Sequence, residues 1–188
     1  MKKYLYLVLL TVSFISCRKV RDDRPPTIFE GTATPGPSAP AYVPPSCNPG
    51  LNKLDANSLN FLITFPSTPT VSINNKTLTY YNKTANNDEI TVILYPFVKE
   101  QSTVYALSGS SGNLGEYYGY VELSANAMGP DKFPGKYASS LNRKIHLHYD
   151  KASGNYTLAF CESLFEFKYP IGGGKFNQNI SGKFGFTF

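Results

Sequence analysis

An all-β fold is what this sequence predicts: an antiparallel β-sandwich of about nine or ten strands, with a closed β-barrel as the alternative, preceded by a disordered tether. Three observations lead there. Apolar residues alternate with period two from about residue 58 to the C-terminus, as half-buried strands require. Turn residues recur about every 8–12 positions, the spacing of sandwiches and barrels. No segment carries a convincing helical repeat.

The N-terminus reads as a secretion signal. Lys2 and Lys3 supply a positive start, and Tyr4 to Ile15 an apolar run broken only by Thr11 and Ser13. That run is shorter than the ~20 residues that cross a bilayer. Residues 1–16 are therefore expected to be removed. An ordinary cleavage site wants small residues at −1 and −3, whereas here −3 is Phe14.

Phe14-Ile15-Ser16-Cys17 instead resembles a lipobox, with a bulky apolar residue at −3, a small one at −1 and then cysteine. The resemblance implies that the Cys17 thiol is acylated before cleavage. The mature chain would then be held to a membrane through several acyl chains, which anchor stably where one would not. It implies a cell-envelope address, as an outer-membrane lipoprotein. The charged start Arg18-Lys19-Val20-Arg21-Asp22-Asp23 resembles the surface-export signal of Bacteroidetes lipoproteins, with more basic residues than the acidic versions, and favours surface exposure.

With Cys17 given to lipid, two of the three cysteines remain, Cys47 and Cys161. An even pair in an oxidising compartment predicts a disulfide, the alternative being two buried free thiols. The chain-entropy model gives so long a closed loop roughly 4–5 kcal/mol. Between Cys17 and residue 49 lie eight of the 14 prolines and no apolar periodicity, so residues 17–49 read as a semi-extended linker and 50–188 as the folded domain.

Within the domain, Leu59, Phe61, Ile63 and Phe65 share one strand face. Val71 and Ile73 lead to a hairpin turn expected at Asn74-Asn75, and Leu78 and Tyr80 return. Ile90 to Phe97 is apolar on both faces, a central strand whose pairing should end near Pro96. Thr103–Leu107 and Tyr117–Leu123 flank the Gly/Ser-rich loop Ser108–Gly115. Ile145, Leu147 and Tyr149 alternate, as do Tyr156, Leu158 and Phe160, and then Phe165, Phe167 and Tyr169. In the last strand Ile180, Gly182, Phe184, Phe186 and Phe188 share a face, with Gly182 marking a bulge or a close backbone approach.

Gly135-Lys136-Tyr137, Gly172-Gly173-Gly174 and the ending Ile180-Ser181-Gly182-Lys183-Phe184-Gly185-Phe186 resemble an uncharacterised Bacteroidetes lipoprotein family over roughly residues 60–188. That family ends on an I-S-G-x-F-x-F strand. The resemblance implies an all-β domain and carries no catalytic residues.

Chemistry is sparse. The net charge of +5 drops once Lys2 and Lys3 leave, with 16 basic residues against 13 acidic. The basic residues are scattered in sequence, so no nucleic-acid partner is indicated. His146 and His148 share a strand face with Lys144 and Asp150 and form a weak two-point metal candidate, short of the three protein ligands of a catalytic zinc. Nucleophile elbows and phosphate loops are absent, and no cofactor is expected. Glu116, Glu122, Glu162 and Glu166 could supply a glycosidase pair only if two of them converged. Tyr117, Tyr118 and Tyr120 form the ligand-binding candidate, because tyrosine rings stack on sugars while the hydroxyl stays wet. The expected function is a non-catalytic, lipid-anchored binding or interaction module for an unknown envelope protein or glycan. A surface glycan-binding accessory is the alternative, and an envelope enzyme the third reading.

Overall fold

The computed structural model describes residues 38–56, 61–108, 116–125, 133–137, 143–168 and 174–188. The expected signal peptide, Cys17, Arg18–Asp23, Leu59, most of the Ser108–Gly115 loop, Tyr169 and Gly172-Gly173 lie outside these residues. The described residues all belong to one compact unit, residues 37–188.

The described residues are all-β. Eleven strands follow in chain order: β1 (Lys53–Ala56), β2 (Phe61–Thr64), β3 (Thr70–Asn74), β4 (Thr77–Lys83), β5 (Glu89–Tyr95), β6 (Thr103–Leu107), β7 (Tyr118–Ala125), β8 (Phe133–Tyr137), β9 (Lys144–Asp150), β10 (Asn155–Lys168) and β11 (Lys175–Phe186). They form one sheet ordered β2-β1-β11-β10-β9-β6-β7-β5-β4-β3, with β8 pairing both β10 and β7. β2 and β3 are its edges, so the sheet is not closed into a barrel. It folds over instead. Tyr80 of β4 meets Phe184 and Phe186 of β11 at ring distances of 5.6 and 5.8 Å, although β4 and β11 are far apart in strand order. The result is sandwich-like: β2-β1-β11-β10-β9 in one layer, β3-β4-β5-β7 in the other, and β6 joining them. The pairing is antiparallel except at that joint, where β6 runs parallel to β7 at Ala106↔Tyr118 and Leu107↔Gly119.

The alternation read in the sequence orients the strands. Leu78 and Tyr80 of β4, Ile90, Val92 and Leu94 of β5, Val121 and Leu123 of β7, and Ile145 and Leu147 of β9 all point into the core. β5 is central as expected, between β4 and β7, and its ladder stops at Tyr95. The β3–β4 hairpin turns on Asn75-Lys76 rather than Asn74-Asn75. Both turn residues have positive φ (45° and 63°), the two-residue turn whose twist matches paired strands.

β10 unites two runs that the sequence presents as separate strands. Its register with β11 steps from Phe160↔Gly182 to Ser163↔Ile180, so Cys161 and Glu162 together oppose Ser181. Glu162 takes φ 45°, and its freed N–H donates to Ser181 Oγ at 2.9 Å. This bulge inserts one residue, so Tyr156, Leu158 and Phe160 before it and Phe165 and Phe167 after it are all buried. Next to the bulge, Gly182 pairs with Phe160 and leaves room for side chains: a Cβ there would sit 2.7 Å from Phe160 Cζ and 2.9 Å from Leu54 Cδ2. The expectation for Phe188 is corrected. It is 56% exposed, because β11 ends at Phe186 and the last ring leans on Phe97, Tyr156 and Phe186 from beyond the strand.

Buried tyrosines keep their hydroxyls partnered, as desolvated polar groups must. Tyr105 donates to Pro96 O at 2.9 Å, and Asn82 Nδ2 donates to the Tyr80 hydroxyl at 3.0 Å. Burial pushes the Tyr80 hydroxyl up to about 12, with the Asn82 bond opposing.

Candidate functional site

Two outer faces, one on each layer, hold the residues that the sequence singles out. The first lies on β9, β10 and β11. Outward positions alternate, so Lys144, His146 and His148 of β9 face away from buried Ile145 and Leu147. Register places Ala159 of β10 between His146 and Lys183 of β11, and Thr157 beside His148. Small side chains at 157 and 159 leave a trough.

The end of the proline-rich stretch lies over that trough. The sequence reading carries the linker to residue 49, but contacts with the sheet begin at Pro40, whose carbonyl accepts from Thr103 Oγ1 at 3.1 Å. The Tyr42 ring lies 5.2 Å from the His148 ring, and the Val43 carbonyl lies 2.6 Å from His146 Nδ1. A carbonyl only accepts, so Nδ1 is the protonated nitrogen of His146. Cys47 and Cys161 are joined by a disulfide with Cα atoms 5.7 Å apart. The Cys47 N–H also donates to Cys161 Sγ at 3.0 Å, and Lys183 Nζ donates to Asn48 Oδ1 at 2.9 Å. Residues 40–48 thus form a strap, fixed near one end by a covalent bond.

The strap leaves a cleft on either side. One, of about 290 Å³, is bordered by Tyr42, Pro45, Asn48, His148 and Lys183. The other, of about 250 Å³, is bordered by Ser46, Arg143, Lys144 and Cys161. Pro44 and His146 border both. His146 and His148 therefore serve as strap contacts. Among the described residues, no group of three His, Cys, Asp or Glu side chains could hold a metal ion. The scattered basic residues of the sequence are also regrouped here, since Arg143, Lys144 and Lys183 come to one face.

The second face lies on β4, β5 and β7. Register stacks Tyr81↔Thr91↔Glu122, Thr79↔Ile93↔Tyr120 and Tyr95↔Tyr118. The three-tyrosine patch expected from sequence is corrected. Tyr117 takes φ 58° and turns to the core side, where its ring packs 6.3 Å from Tyr105. Tyr120 is only 3% exposed, its hydroxyl donating to Glu122 Oε2 at 3.3 Å, and burial pushes that hydroxyl up to about 12. Tyr118 remains, 44% exposed, opposite half-buried Tyr95. Tyr81, Ile93 and Tyr95 join this face, and sequence reasoning missed them because only strand register brings them beside β7.

A third cleft, of about 480 Å³, is lined by Leu51, Asn52, Asn155, Tyr156, Phe186 and Thr187 among others. None of the four glutamates considered for catalysis borders these three clefts. Glu122 and Glu166 share a rung with Lys136 of β8 between them, two strand spacings or ~10 Å apart along the backbone.

Comparison with protein-family models, with curated proteins and with solved structures finds no match.

Proposed function

We propose that this chain is an exported, lipid-anchored binding module of a bacterial cell envelope, of the Bacteroidetes lipoprotein type, with no catalytic role. Phe14-Ile15-Ser16-Cys17 after a short apolar run carries this reading: a bulky residue at −3 disfavours ordinary cleavage, and the cysteine supplies the thiol to be acylated. Lipid on Cys17 would hold the mature chain at the outer membrane. The proline-rich segment would then set the domain off from the surface, since proline favours extended backbone. Feeding cells a clickable fatty acid tests the anchor. Label should enter the wild-type protein and be lost in Cys17→Ser, and equal labelling of both would overturn the assignment.

The second reading, a glycan-binding accessory, is favoured by Tyr118. Its exposed ring stands beside Tyr95 on an outer face that also carries the hydroxyls of Thr79 and Thr91. Aromatic rings flanked by hydroxyls suit the apolar face and polar rim of a sugar ring. A glycan array supports this reading if wild type binds a defined saccharide class and Tyr118→Ala does not. Uniform silence, or signals unaffected by the substitution, removes it and leaves a protein partner for this face.

A further inference from the structure

We propose that the strap groove on β9–β11 is a binding site for an acidic oligosaccharide, and that the Cys47–Cys161 disulfide builds it by fixing one of its walls. The site lies on the opposite layer from the tyrosine face and does not depend on it.

Charge is the first argument. The borders of the two clefts carry Arg143, Lys144 and Lys183 together with His146 and His148, and no carboxylate. The acids nearby are turned to other tasks. Glu162 stands 4.0 Å from Arg143 with its side chain 66% exposed, a spacing and exposure at which an ion pair is weak. Asp150 closes the turn after β9, accepting from Ser153 Oγ at 2.6 Å and from the Ala152 N–H at 3.0 Å, which holds its carboxyl below the usual range. Asp55 lies on β1, beyond β11. An arginine beside a lysine at one cleft offers a forked donor and a point charge, a pairing suited to a carboxylate.

Shape is the second. The larger cleft adds the Tyr42 ring, Pro45 and His148, flat or apolar surfaces against which a sugar ring can lie, while Asn48 and Lys183 offer polar atoms at its rim. Pro44 and His146 line both clefts, so the two are adjacent and an extended ligand that crosses over Pro44 can reach both. Its acidic group would sit by Arg143 and Lys144, and a neighbouring ring by Tyr42. An oligosaccharide bearing uronic acids has both parts.

The strap is the third. Tyr42, Pro44, Pro45, Ser46 and Asn48 are wall residues, and they stay over the trough only while residues 40–48 are held. Cys161 continues the outward alternation of Thr157 and Ala159, so it meets Cys47 on this face just before the irregular residue Glu162.

The test is calorimetric titration of the full mature protein in detergent micelles with hexagalacturonate, maltohexaose and inorganic phosphate at low and moderate salt. The expected result is binding of hexagalacturonate at least tenfold tighter than of maltohexaose, weakened by salt. Arg143→Gln with Lys144→Gln should weaken it at least tenfold without changing the thermal midpoint. Reduced protein that keeps its circular dichroism should lose it. Equal binding of the neutral hexasaccharide, equal binding by the double variant, or displacement by equimolar phosphate, the mark of an adventitious anion only, would each overturn the proposal. Should reduction unfold the domain, the charge variant decides alone.

Discussion

On β9–β11 the outward residues include Lys144, His146, His148, Thr157, Ala159 and Lys183; on β4, β5 and β7 they include Thr79, Tyr81, Thr91, Ile93, Tyr95, Tyr118 and the buried Tyr120. Both sets alternate with the same apolar core, yet one face is overlaid by residues 40–48 and the other carries Tyr118 in the open. The difference lies in side-chain size on the middle strand of each face: β10 presents Thr157 and Ala159, whereas β5 presents Ile93 and Tyr95. Where outward residues are small, a second piece of chain can lie on the sheet and bring its own hydrogen bonds. Where they are aromatic, the rings themselves cover the ladder. One consequence is energetic: the strapped face adds a covalent link to the stability of the domain, whereas the open face adds little.

Removing that link should have the largest effect. Cys47→Ser with Cys161→Ser frees a loop of 114 residues, and the chain-entropy model puts the loss at about 4–5 kcal/mol. Urea melts would register it as a large fall in midpoint, and an unchanged midpoint would show that the strap is not fixed in solution. Phe184→Ala tests the core shared by both faces. Its ring is fully buried between Phe65, Tyr80 and Phe160, so truncation should cost about 3–5 kcal/mol. Phe188→Ala, at an exposed ring two residues past the strand end, should cost far less; equal losses would mean that the chain end is packed differently.

Alkaline titration gives an intermediate effect. The Tyr80 hydroxyl is raised to about 12 by burial, while its unfolded value is near 10. The neutral form is the one the fold favours, so its contribution is complete below pH 10 and is lost as pH rises towards 12. Two pH units correspond to about 2–3 kcal/mol. Stability should therefore decline between pH 10 and 12, and less steeply in Tyr80→Phe, which starts lower because Asn82 Nδ2 loses an acceptor. A wild-type profile flat to pH 12 would contradict the burial of this hydroxyl. The smallest effect belongs to the open face: Tyr118→Ala should move stability by no more than about 0.5 kcal/mol. A larger loss would mean that the ring is structural and that the face is covered.

The strands were legible wherever alternation ran for five residues or more, as in β4, β5, β9 and β11. β1 was not, because Lys53-Leu54-Asp55-Ala56 offers one large apolar residue. β8 was not either, because Phe133-Pro134-Gly135-Lys136-Tyr137 holds the two residues least suited to strands. The break between Phe160 and Phe165 reads as a loop, since a bulge and a turn both interrupt period two. The disulfide followed from parity, but its surroundings did not. The Val43–His146 bond spans 103 residues, and nothing local to His146 announces a backbone partner. Tyr120 misled for a similar reason: sharing a strand face with Glu122 suggests exposure, and only three-dimensional packing buries it.

Mass analysis of the unreduced, protease-digested protein purified from membranes tests the central claim most directly, because the anchor and the strap are read in one experiment. The expected result is a peptide pair joined through Cys47 and Cys161, and an N-terminal peptide beginning at Cys17 with the mass of attached acyl chains. Free thiols at Cys47 and Cys161, or an unacylated Cys17 still preceded by residues 1–16, would contradict it.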